Sequence, residues 1–317
     1  MGLAQTKWQA SSQMKETYLA QARILTQVAP LVFTDNTFAL KGGTAINLFV
    51  RDMPRLSVDL DLAFPDHTLD RESALRKMND ALAIASQRLT KQGFDVRSGI
   101  AADETKLLAR RDGLLVKVEA NHVIRGTVGA VRTASLKPRA RDRLRVDFEI
   151  PVVSLEDLYG GKLVAALDRQ HPRDLFDVMQ LFENEGITPS IRRAFVVYLA
   201  SHNRPVHEVL NPTLLDVSKE FESAFQGMTA DPIALSDLLG ARDRMIATLQ
   251  KSLDQNERDF LLSLVRNEPN WAALDIPDLD KFPAIRWKLH NLDRLRQVDK
   301  QRYDEQYAQL ATLLSGT

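Results

Sequence analysis

The chain has 317 residues, 44% of them hydrophobic and 26% charged, which is the composition of an ordinary globular protein and argues against disorder. Its 42 basic and 42 acidic residues balance, so the molecule as a whole is not a general binder of polyanions. The sequence has no cysteine, which excludes disulfides and thiolate metal sites and leaves carboxylates and histidines as metal ligands. Mg²⁺ or Mn²⁺ is therefore the metal ion that the composition favours.

The apolar segments indicate neither a membrane anchor nor an export signal. No apolar run approaches the ~18 residues of a membrane span, and residues 1–11 lack the apolar core of a signal peptide. We therefore expect a soluble, cytoplasmic protein with no membrane partner. The length allows one large domain or two ordinary ones.

The first half of the chain alternates between helical and extended patterns, as an α+β fold requires. A cap at Asp70 and a stop at Gly93 bound its longest internal helix, and Asp112-Gly113 predicts a hairpin turn. The predicted elements are, in chain order, helix 12–32, strand 37–41, helix 44–51, strand 57–64, helix 70–92, and strands 95–99, 105–111, 114–122 and 144–152.

From residue 155 onward the pattern is almost wholly helical. The predicted helices cover 155–169, 172–185, 188–202, 213–227, 232–252, 254–266, 281–295 and 297–314, with prolines at several of the joints. We therefore expect two domains: residues 1–153 as an α/β core with an N-terminal helix, and residues 154–317 as a helical domain.

A glycine turn and a pair of aspartates form the most informative segment. Residues 41–62 read Lys-Gly-Gly-Thr-Ala-Ile-Asn-Leu-Phe-Val-Arg-Asp-Met-Pro-Arg-Leu-Ser-Val-Asp-Leu-Asp-Leu. Gly42-Gly43 lets the backbone come close to a ligand, and the helix that starts near Thr44 favours a phosphate at its beginning. Asp59 and Asp61 project from one face of a strand and form an oxygen-rich site of the kind Mg²⁺ prefers.

Each part of this segment also has a purely structural interpretation. Gly-Gly alone is more often only a turn, and Asp-x-Asp alone is more often a solvated strand edge or a helix cap. The order in which the parts occur, strand, glycine turn, helix, Arg-x-Ser and Asp-x-Asp among hydrophobic residues, favours the functional interpretation.

This order resembles the nucleotidyltransferase superfamily of DNA polymerase β, in which a Gly-Ser or Gly-Thr turn precedes Asp-x-Asp. More narrowly, it looks like the AbiEii/AbiGii toxin family, which includes the MenT-type toxins of mycobacteria. The resemblance implies a polymerase β-type core with a mixed sheet followed by a helical C-terminal domain, an NTP substrate, and a metal ion on Asp59 and Asp61. It also implies that the nucleotide contacts Gly42, Gly43, Thr44, Arg55 and Ser57.

A third carboxylate from a later strand often completes such a metal clamp. Glu119 is our choice, because Lys117 and Glu119 share one face of the strand at 114–122. The structural alternative is a surface residue that pairs with Lys117. Asp147 and Glu149, another same-face pair on the following strand, are the runner-up.

The second informative segment starts at Leu155 and reads Leu-Glu-Asp-Leu-Tyr-Gly-Gly-Lys-Leu-Val-Ala-Ala-Leu-Asp-Arg-Gln-His-Pro-Arg-Asp-Leu-Phe-Asp. It resembles the family's Lys-Leu-x-Ala followed by Arg-Asp-x-x-Asp. The resemblance implies that Lys162 contacts nucleotide phosphates and that Asp174 or Asp177 belongs to the active site, so the helical domain would carry its second half. The alternative is a structural network of ion pairs among these residues.

A further match lies near the C-terminus, where the segment from Phe282 reads Phe-Pro-Ala-Ile-Arg-Trp-Lys-Leu-His-Asn-Leu. It is similar to the family's Pro-x-x-x-Trp-Lys-x-x-Asn-Leu. Together the matches extend from about residue 38 to residue 295.

Positive charge is concentrated before the predicted boundary. Residues 101–145 hold 11 basic and 5 acidic side chains, and the densest part lies on a predicted loop. Clustered Lys and Arg supply the phosphate affinity of RNA-binding surfaces, although a solvated loop is an equal alternative. The candidate RNA-binding residues are Lys137, Arg139, Arg141, Arg143 and Arg145.

These inferences predict a Mg²⁺-dependent nucleotidyltransferase toxin that moves NMP from an NTP to an RNA acceptor. The resemblance implies the 3′ end of tRNA as that acceptor, with growth arrest as the result, and an antitoxin encoded nearby as a partner. Two alternatives stay open: NMP transfer to a protein hydroxyl, and an inactive module that only binds nucleotide or RNA.

Overall fold

In a computed structural model the chain divides into two compact units. The structure describes residues 2–99 and 105–316, with side chains from residue 16 onward. The first unit combines the described residues up to Ser154 with Glu222–Ile233, and the second combines Leu155–Phe221 with the chain from Ala234 onward. The predicted division into domains 1–153 and 154–317 stays a prediction. None of the helices in the described part of the chain is long and apolar enough to span a membrane.

The first unit is built on a seven-stranded mixed sheet in the order β3-β4-β5-β2-β1-β7-β6. Strand β2 lies inside the sheet, antiparallel to β1 and parallel to β5. The strands are β1 (Ala39–Lys41), β2 (Asp59–Phe64), β3 (Asp95–Gly99), β4 (Lys106–Arg111), β5 (Leu114–Arg125), β6 (Arg132–Ser135) and β7 (Glu149–Val152).

Two long helices, α1 (Gly2–Val32) and α3 (Arg71–Lys91), pack with this sheet. The alternation of side chains in β2 and β5 puts apolar residues on one face, where Leu60, Leu62, Val116 and Val118 are fully buried or nearly so. The acidic residues between them therefore project from the opposite face. Asp70 caps α3, since its carboxylate accepts from the Ser73 amide at 2.8 Å.

The glycine turn opens a short helix, α2 (Gly42–Ala45), which widens into a π-helical turn at Ile46–Val50. Ala45, Ile46 and Leu48 are completely buried, so the apolar side of this helix is part of the core. These buried side chains hold α2 against the sheet, and α2 follows β1 immediately in the chain.

The segment before the predicted boundary differs from the expectation. The strand expected at 144–152 is confirmed only from Glu149, and residues 138–144 form helix α4 (Pro138–Leu144) instead of a loop. Pro138 suits the first turn of a helix, and Ala140 and Leu144, four residues apart, are both buried. The basic run therefore lies mostly on a helix, and the sequence analysis was wrong to place it on a loop.

Residues from the second half of the chain return to the first unit. The Leu56 amide donates to the Met228 carbonyl at 2.9 Å, and the Ala230 amide donates to the Pro54 carbonyl at 2.9 Å. Arg55 and Thr229 form an antiparallel bridge between these bonds. Residues 222–233 are called the return segment below. Because Phe225 and Met228 are buried, this segment contributes buried side chains to the first unit as well as backbone hydrogen bonds.

The second unit is helical, as expected. Gly160 lets α5 approach α7 closely, because a Cβ there would lie 2.8 Å from the Ala194 carbonyl carbon and the Phe195 nitrogen. Its helices are α5 (Leu155–Arg169), α6 (Pro172–Glu183), α7 (Pro189–Ala200), α8 (Val206–Leu210), α10 (Leu235–Ser252), α11 (Gln255–Val265), α12 (Pro283–Val298) and α13 (Lys300–Ser315), and α9 (Ser218–Ala224) runs across the division between the units.

Candidate active site

Gly42 lies against the second aspartate of the pair. Its φ is +74°, and a Cβ on it would collide with a carboxylate oxygen of Asp61. Gly43 is as tightly enclosed, because a Cβ there would lie 2.7 Å from Arg55 Nη2 and 3.1 Å from Ser57 Oγ. A side chain at Gly42 would be strained and would displace Asp61, and one at Gly43 would displace the Arg55 guanidinium, so the turn and the acidic strand form one packed unit.

Hydroxyl and amide side chains fix the turn from within. The buried Thr44 hydroxyl donates to the Asp59 carbonyl at 2.5 Å and lies 2.9 Å from Ser57 Oγ. Asn47 donates from Nδ2 to the Gly43 carbonyl at 2.9 Å. In this structure Thr44 and Ser57 thus brace the strand, and Asn47, which the sequence analysis did not single out, braces the turn.

The predicted acids share one face of the sheet. Asp59 is in register with Lys117 of the neighbouring strand β5, and Asp61 is in register with Glu119. Lys117 and Glu119 form an ion pair. The hydrogen bond between Lys117 and Glu119 and the charges of Glu119, Asp59 and Asp61 raise the pKa of the Lys117 ammonium, whereas burial lowers it.

The three predicted metal ligands share this face without converging. Among the residues with described side chains, no group of three or more acidic or histidine side chains is close enough together to hold a metal ion. Glu119 pairs with Lys117, as the structural alternative anticipated. The donor chemistry of Asp59 and Asp61 fits a hard divalent cation, whereas Glu119 would have to leave its lysine to join them.

The runner-up acids lie elsewhere. Val152 of β7 is in register with Leu40 of β1, so Glu149 lies about 13 Å along the strand direction from the level of Asp61. Asp147 precedes the strand and contacts Arg141 at 3.4 Å. The register therefore favours Glu119 over both as the third carboxylate.

Lys41 is a site residue that the sequence analysis quoted without assigning a role. It is in register with Asp61 on the antiparallel strand, so the two side chains project to the same face. Burial lowers the pKa of the Lys41 ammonium, and the charges of Asp61 and Glu119 oppose that effect. Its position next to Gly42 could have singled out Lys41 from the sequence, but only the strand register reveals which acids it faces.

The second predicted cluster is assembled within the helical unit. Lys162 Nζ lies 2.7 Å from Asp174 Oδ1 and 2.9 Å from Asp177 Oδ2, and all three side chains are buried. Arg169 donates from Nε to Asp174 Oδ2 at 2.6 Å. The structure thus brings together residues that the sequence grouped, and the ion pairs are those of the structural alternative as well, so the catalytic role of the cluster stays a prediction.

The charge balance of this cluster fixes its protonation. Burial alone would raise the pKa of Asp174, but Lys162 and Arg169 together bring that pKa well below its usual range. Asp174 is therefore a carboxylate at neutral pH, and it holds the Lys162 ammonium in one position.

Lys288, which belongs to the motif near the C-terminus, has a structural role. Its ammonium donates to the carbonyls of His202, Asn203 and Arg204 at 2.8, 3.3 and 2.6 Å, beyond the end of α7. Burial lowers its pKa to about 8, although Glu208 opposes the shift. The lysine thus satisfies three carbonyls of the segment that follows α7.

The predicted RNA-binding residues lie on and beside α4. Because successive helical residues are about 100° apart, Arg139 and Arg143 lie on one side of α4 and Arg141 lies on another, whereas Lys137 and Arg145 flank the helix as its extended and left-handed caps. Arg143 and Arg145 are exposed, and the other three are half-buried. The run therefore presents two basic sides of one helix and not one continuous strip.

Known proteins give the comparison for this geometry. The family model described as Nucleotidyl transferase AbiEii toxin, Type IV TA system, matches residues 23–291. Among solved structures, MenT4, a nucleotidyltransferase toxin from Mycobacterium tuberculosis H37Rv, is similar over 87% of this chain and 93% of that chain, with a TM-score of 0.58 and 18% identity. This likeness is one of fold, and it confirms the expected fold class.

A comparison with curated protein sequences gives no match. The family model nevertheless covers most of the chain, from α1 to α12, and so includes both the glycine turn with its acids and the Lys162 cluster. The resemblance stated from the motifs is thereby confirmed. The chain belongs to the AbiEii family of nucleotidyltransferase toxins of type IV toxin–antitoxin systems.

Proposed function

We propose that this nucleotidyltransferase transfers NMP from an NTP to a hydroxyl of an RNA acceptor, with pyrophosphate as the leaving group and a divalent metal ion on Asp59 and Asp61. One observation carries the proposal: Gly42 and Asp61 are packed so tightly that no Cβ fits between them. A backbone turn that can approach phosphates is thereby joined to the carboxylates that can hold their counter-ion.

The chain's own groups suit in-line phosphoryl transfer, in which positioning and charge stabilisation supply most of the catalysis. The backbone of the turn at Gly42 and Gly43 is the part that can approach a triphosphate, and Thr44 and Ser57 keep the acidic strand in place. When bound, a divalent ion would neutralise charge on the triphosphate and favour the deprotonated form of the acceptor hydroxyl.

We assign to Lys162 a role in neutralising phosphate charge during the same reaction. An ammonium is a compact charge well suited to this role, and Asp174 and Asp177 restrict the position of its Nζ. Removing either acid would leave Lys162 with only one of these two carboxylates and would loosen the position of its Nζ. Each acid is therefore a positioning residue in this proposal.

The acceptor and partner follow from the family and from α4. The basic sides of α4 supply phosphate-binding charge for an RNA, and the family resemblance favours the 3′ end of tRNA, whose modification would stop growth. The antitoxin partner of the family would counteract this activity, and Mg²⁺ or Mn²⁺ would be the metal.

The test is incubation of the full-length protein with each labelled NTP, total RNA and Mg²⁺ or Mn²⁺. We expect wild type to label an RNA of tRNA size, and Asp59→Ala to lose about 100-fold or more of that activity. Asp95→Ala, which removes an exposed aspartate from β3 of the same sheet, should keep it. If wild type labels protein but no RNA under every condition, the RNA acceptor is wrong.

A further inference from the structure

The acidic face of the sheet carries its own cations. Lys117 is in register with Asp59 and forms an ion pair with Glu119, two residues further along the same strand. Lys41 is in register with Asp61 on the other side of β2. Each of the three acids therefore has a neighbouring lysine. Lys117 is opposite Asp59, Lys41 is opposite Asp61, and Lys117 lies two residues from Glu119 on the same strand.

The arrangement has a clear electrostatic cause. Neighbouring strands are ~4.8 Å apart, so three carboxylates on adjacent positions of one face repel one another. The ammonium group of Lys117, paired with Glu119, reduces this repulsion in the metal-free protein. The same carboxylate oxygens are the ones that a divalent cation needs.

A metal ion and the Lys117 ammonium would therefore compete for the same carboxylate, that of Glu119. The side chains of Lys117 and Glu119 are 40% and 48% exposed, and ion pairs at such exposure are weak and easily separated. Lys41 is half-buried and faces Asp61, so it has less freedom to move away. Of the two lysines, Lys117 is the one that can exchange with an incoming cation.

We propose that Lys117 is an internal competitor for the divalent cation: its ammonium holds Glu119 in the metal-free enzyme and leaves it when the ion binds. The proposal rests on the metal role proposed for Asp59 and Asp61, and it adds regulation of that site. Lys117 keeps the affinity for the bare ion low. The ion is then held firmly only together with the NTP, whose phosphate oxygens supply further ligands.

The experiment measures Mn²⁺ binding to the full-length protein by electron paramagnetic resonance, with and without a non-hydrolysable NTP analogue. We expect Lys117→Gln to bind bare Mn²⁺ about three- to tenfold more tightly than wild type, because a competing positive charge is gone. Lys117→Arg, which keeps the charge, should bind Mn²⁺ like wild type.

The matched control is Lys91→Gln, which removes the same charge from the exposed last turn of α3 in the same unit. It should leave the Mn²⁺ affinity unchanged. Without metal, Lys117→Gln should also have a lower melting temperature than Lys91→Gln, and Mn²⁺ should raise that temperature by more than it does in wild type.

The outcomes separate this inference from the function on which it rests. If Asp59→Ala abolishes Mn²⁺ binding but Lys117→Gln binds no more tightly than wild type, Lys117 is not a competitor and the metal role of Asp59 stands. If Asp59→Ala does not change Mn²⁺ binding even with the NTP analogue, the proposed metal site is wrong, and the competitor role is overturned with it.

Discussion

At the scale of single residues, two glycines with the same backbone conformation have different neighbours. Gly42 has φ +74° and faces Asp61, whereas Gly113, in the turn between β4 and β5, has φ +76° and no atom within 4 Å of a Cβ. The left-handed conformation costs a side chain ~1–2 kcal/mol at either position. Only at Gly42 does the collision with a site carboxylate add to that strain.

Alanine substitutions of these two glycines provide a matched pair. We expect Gly113→Ala to lower the free energy of unfolding by about 1 kcal/mol while the nucleotidyltransferase activity is kept. Gly42→Ala should lower it by more, and should also abolish the activity because Asp61 is displaced. Denaturant unfolding and RNA labelling of both variants measure the two effects. Equal activity in both would show that the contact between Gly42 and Asp61 is irrelevant to the reaction.

The sequence predicted part of this detail. Glycine and Asp-x-Asp are local patterns, and they identified the turn and the acidic strand. The neighbours of Asp61, by contrast, are set by the pairing of strands distant in sequence, with Lys41 on one side and Glu119 on the other. No local pattern states that register, so Lys117 was recognised as a partner of Glu119 from the sequence, but the place of Lys41 on the acidic face was found only in the fold.

At the scale of elements, helix α4 was the main error of the sequence interpretation. The density of charge between residues 137 and 145 suggested a loop, but Pro138 starts a helix whose buried side consists only of Ala140 and Leu144. Seven residues are too few for an amphipathic pattern to stand out. The long helices from α5 to α7 have such a pattern over several turns, and their positions were predicted closely.

Helix α4 gives a test of the RNA acceptor. Changing Arg139, Arg141 and Arg143 together to Gln should weaken RNA binding, and should reduce the slope of log affinity against log salt by up to about 2, since each lost phosphate contact contributes ~0.7–0.9. NTP binding should be unchanged. Fluorescence anisotropy with labelled tRNA over a salt series measures the slope.

The control for this triple variant removes three positive charges from another helix of the same unit: Arg76, Lys77 and Lys91 of α3 changed to Gln. Its salt slope should equal that of wild type. Equal slopes for both triple variants would mean that α4 does not hold the RNA.

At the scale of the whole molecule, the first unit is made from two separate stretches of chain. The return segment supplies hydrogen bonds to Pro54 and Leu56, on both sides of Arg55, whose guanidinium lies against Gly43. The prolines and helical patterns predicted a change of architecture near residue 153 but gave no sign of this return. The reason is that a short irregular segment among helices has no periodicity to reveal its partner.

A truncated chain tests this dependence. A protein of residues 1–154 should unfold at a lower temperature than a chain in which residues 222–233 are joined to it by a flexible linker, because it lacks the partners of Pro54 and Leu56. The joined chain with Phe225→Ser and Met228→Ser should lose most of the gain, since both side chains are buried. Thermal unfolding by circular dichroism compares the three chains, and equal melting temperatures would show that the return segment contributes nothing.

The late position of the return segment in the chain also determines when the first unit can be completed during protein synthesis. The ribosome adds residues 155–233 in roughly 4 to 16 s at ~5–20 residues per second, and during that interval the bridge partner of Arg55 does not yet exist. Until the ribosome has passed Ala230, the backbone partners of Pro54, Arg55 and Leu56 are missing next to the glycine turn. Chains that end before this point therefore cannot complete the fold of the first unit.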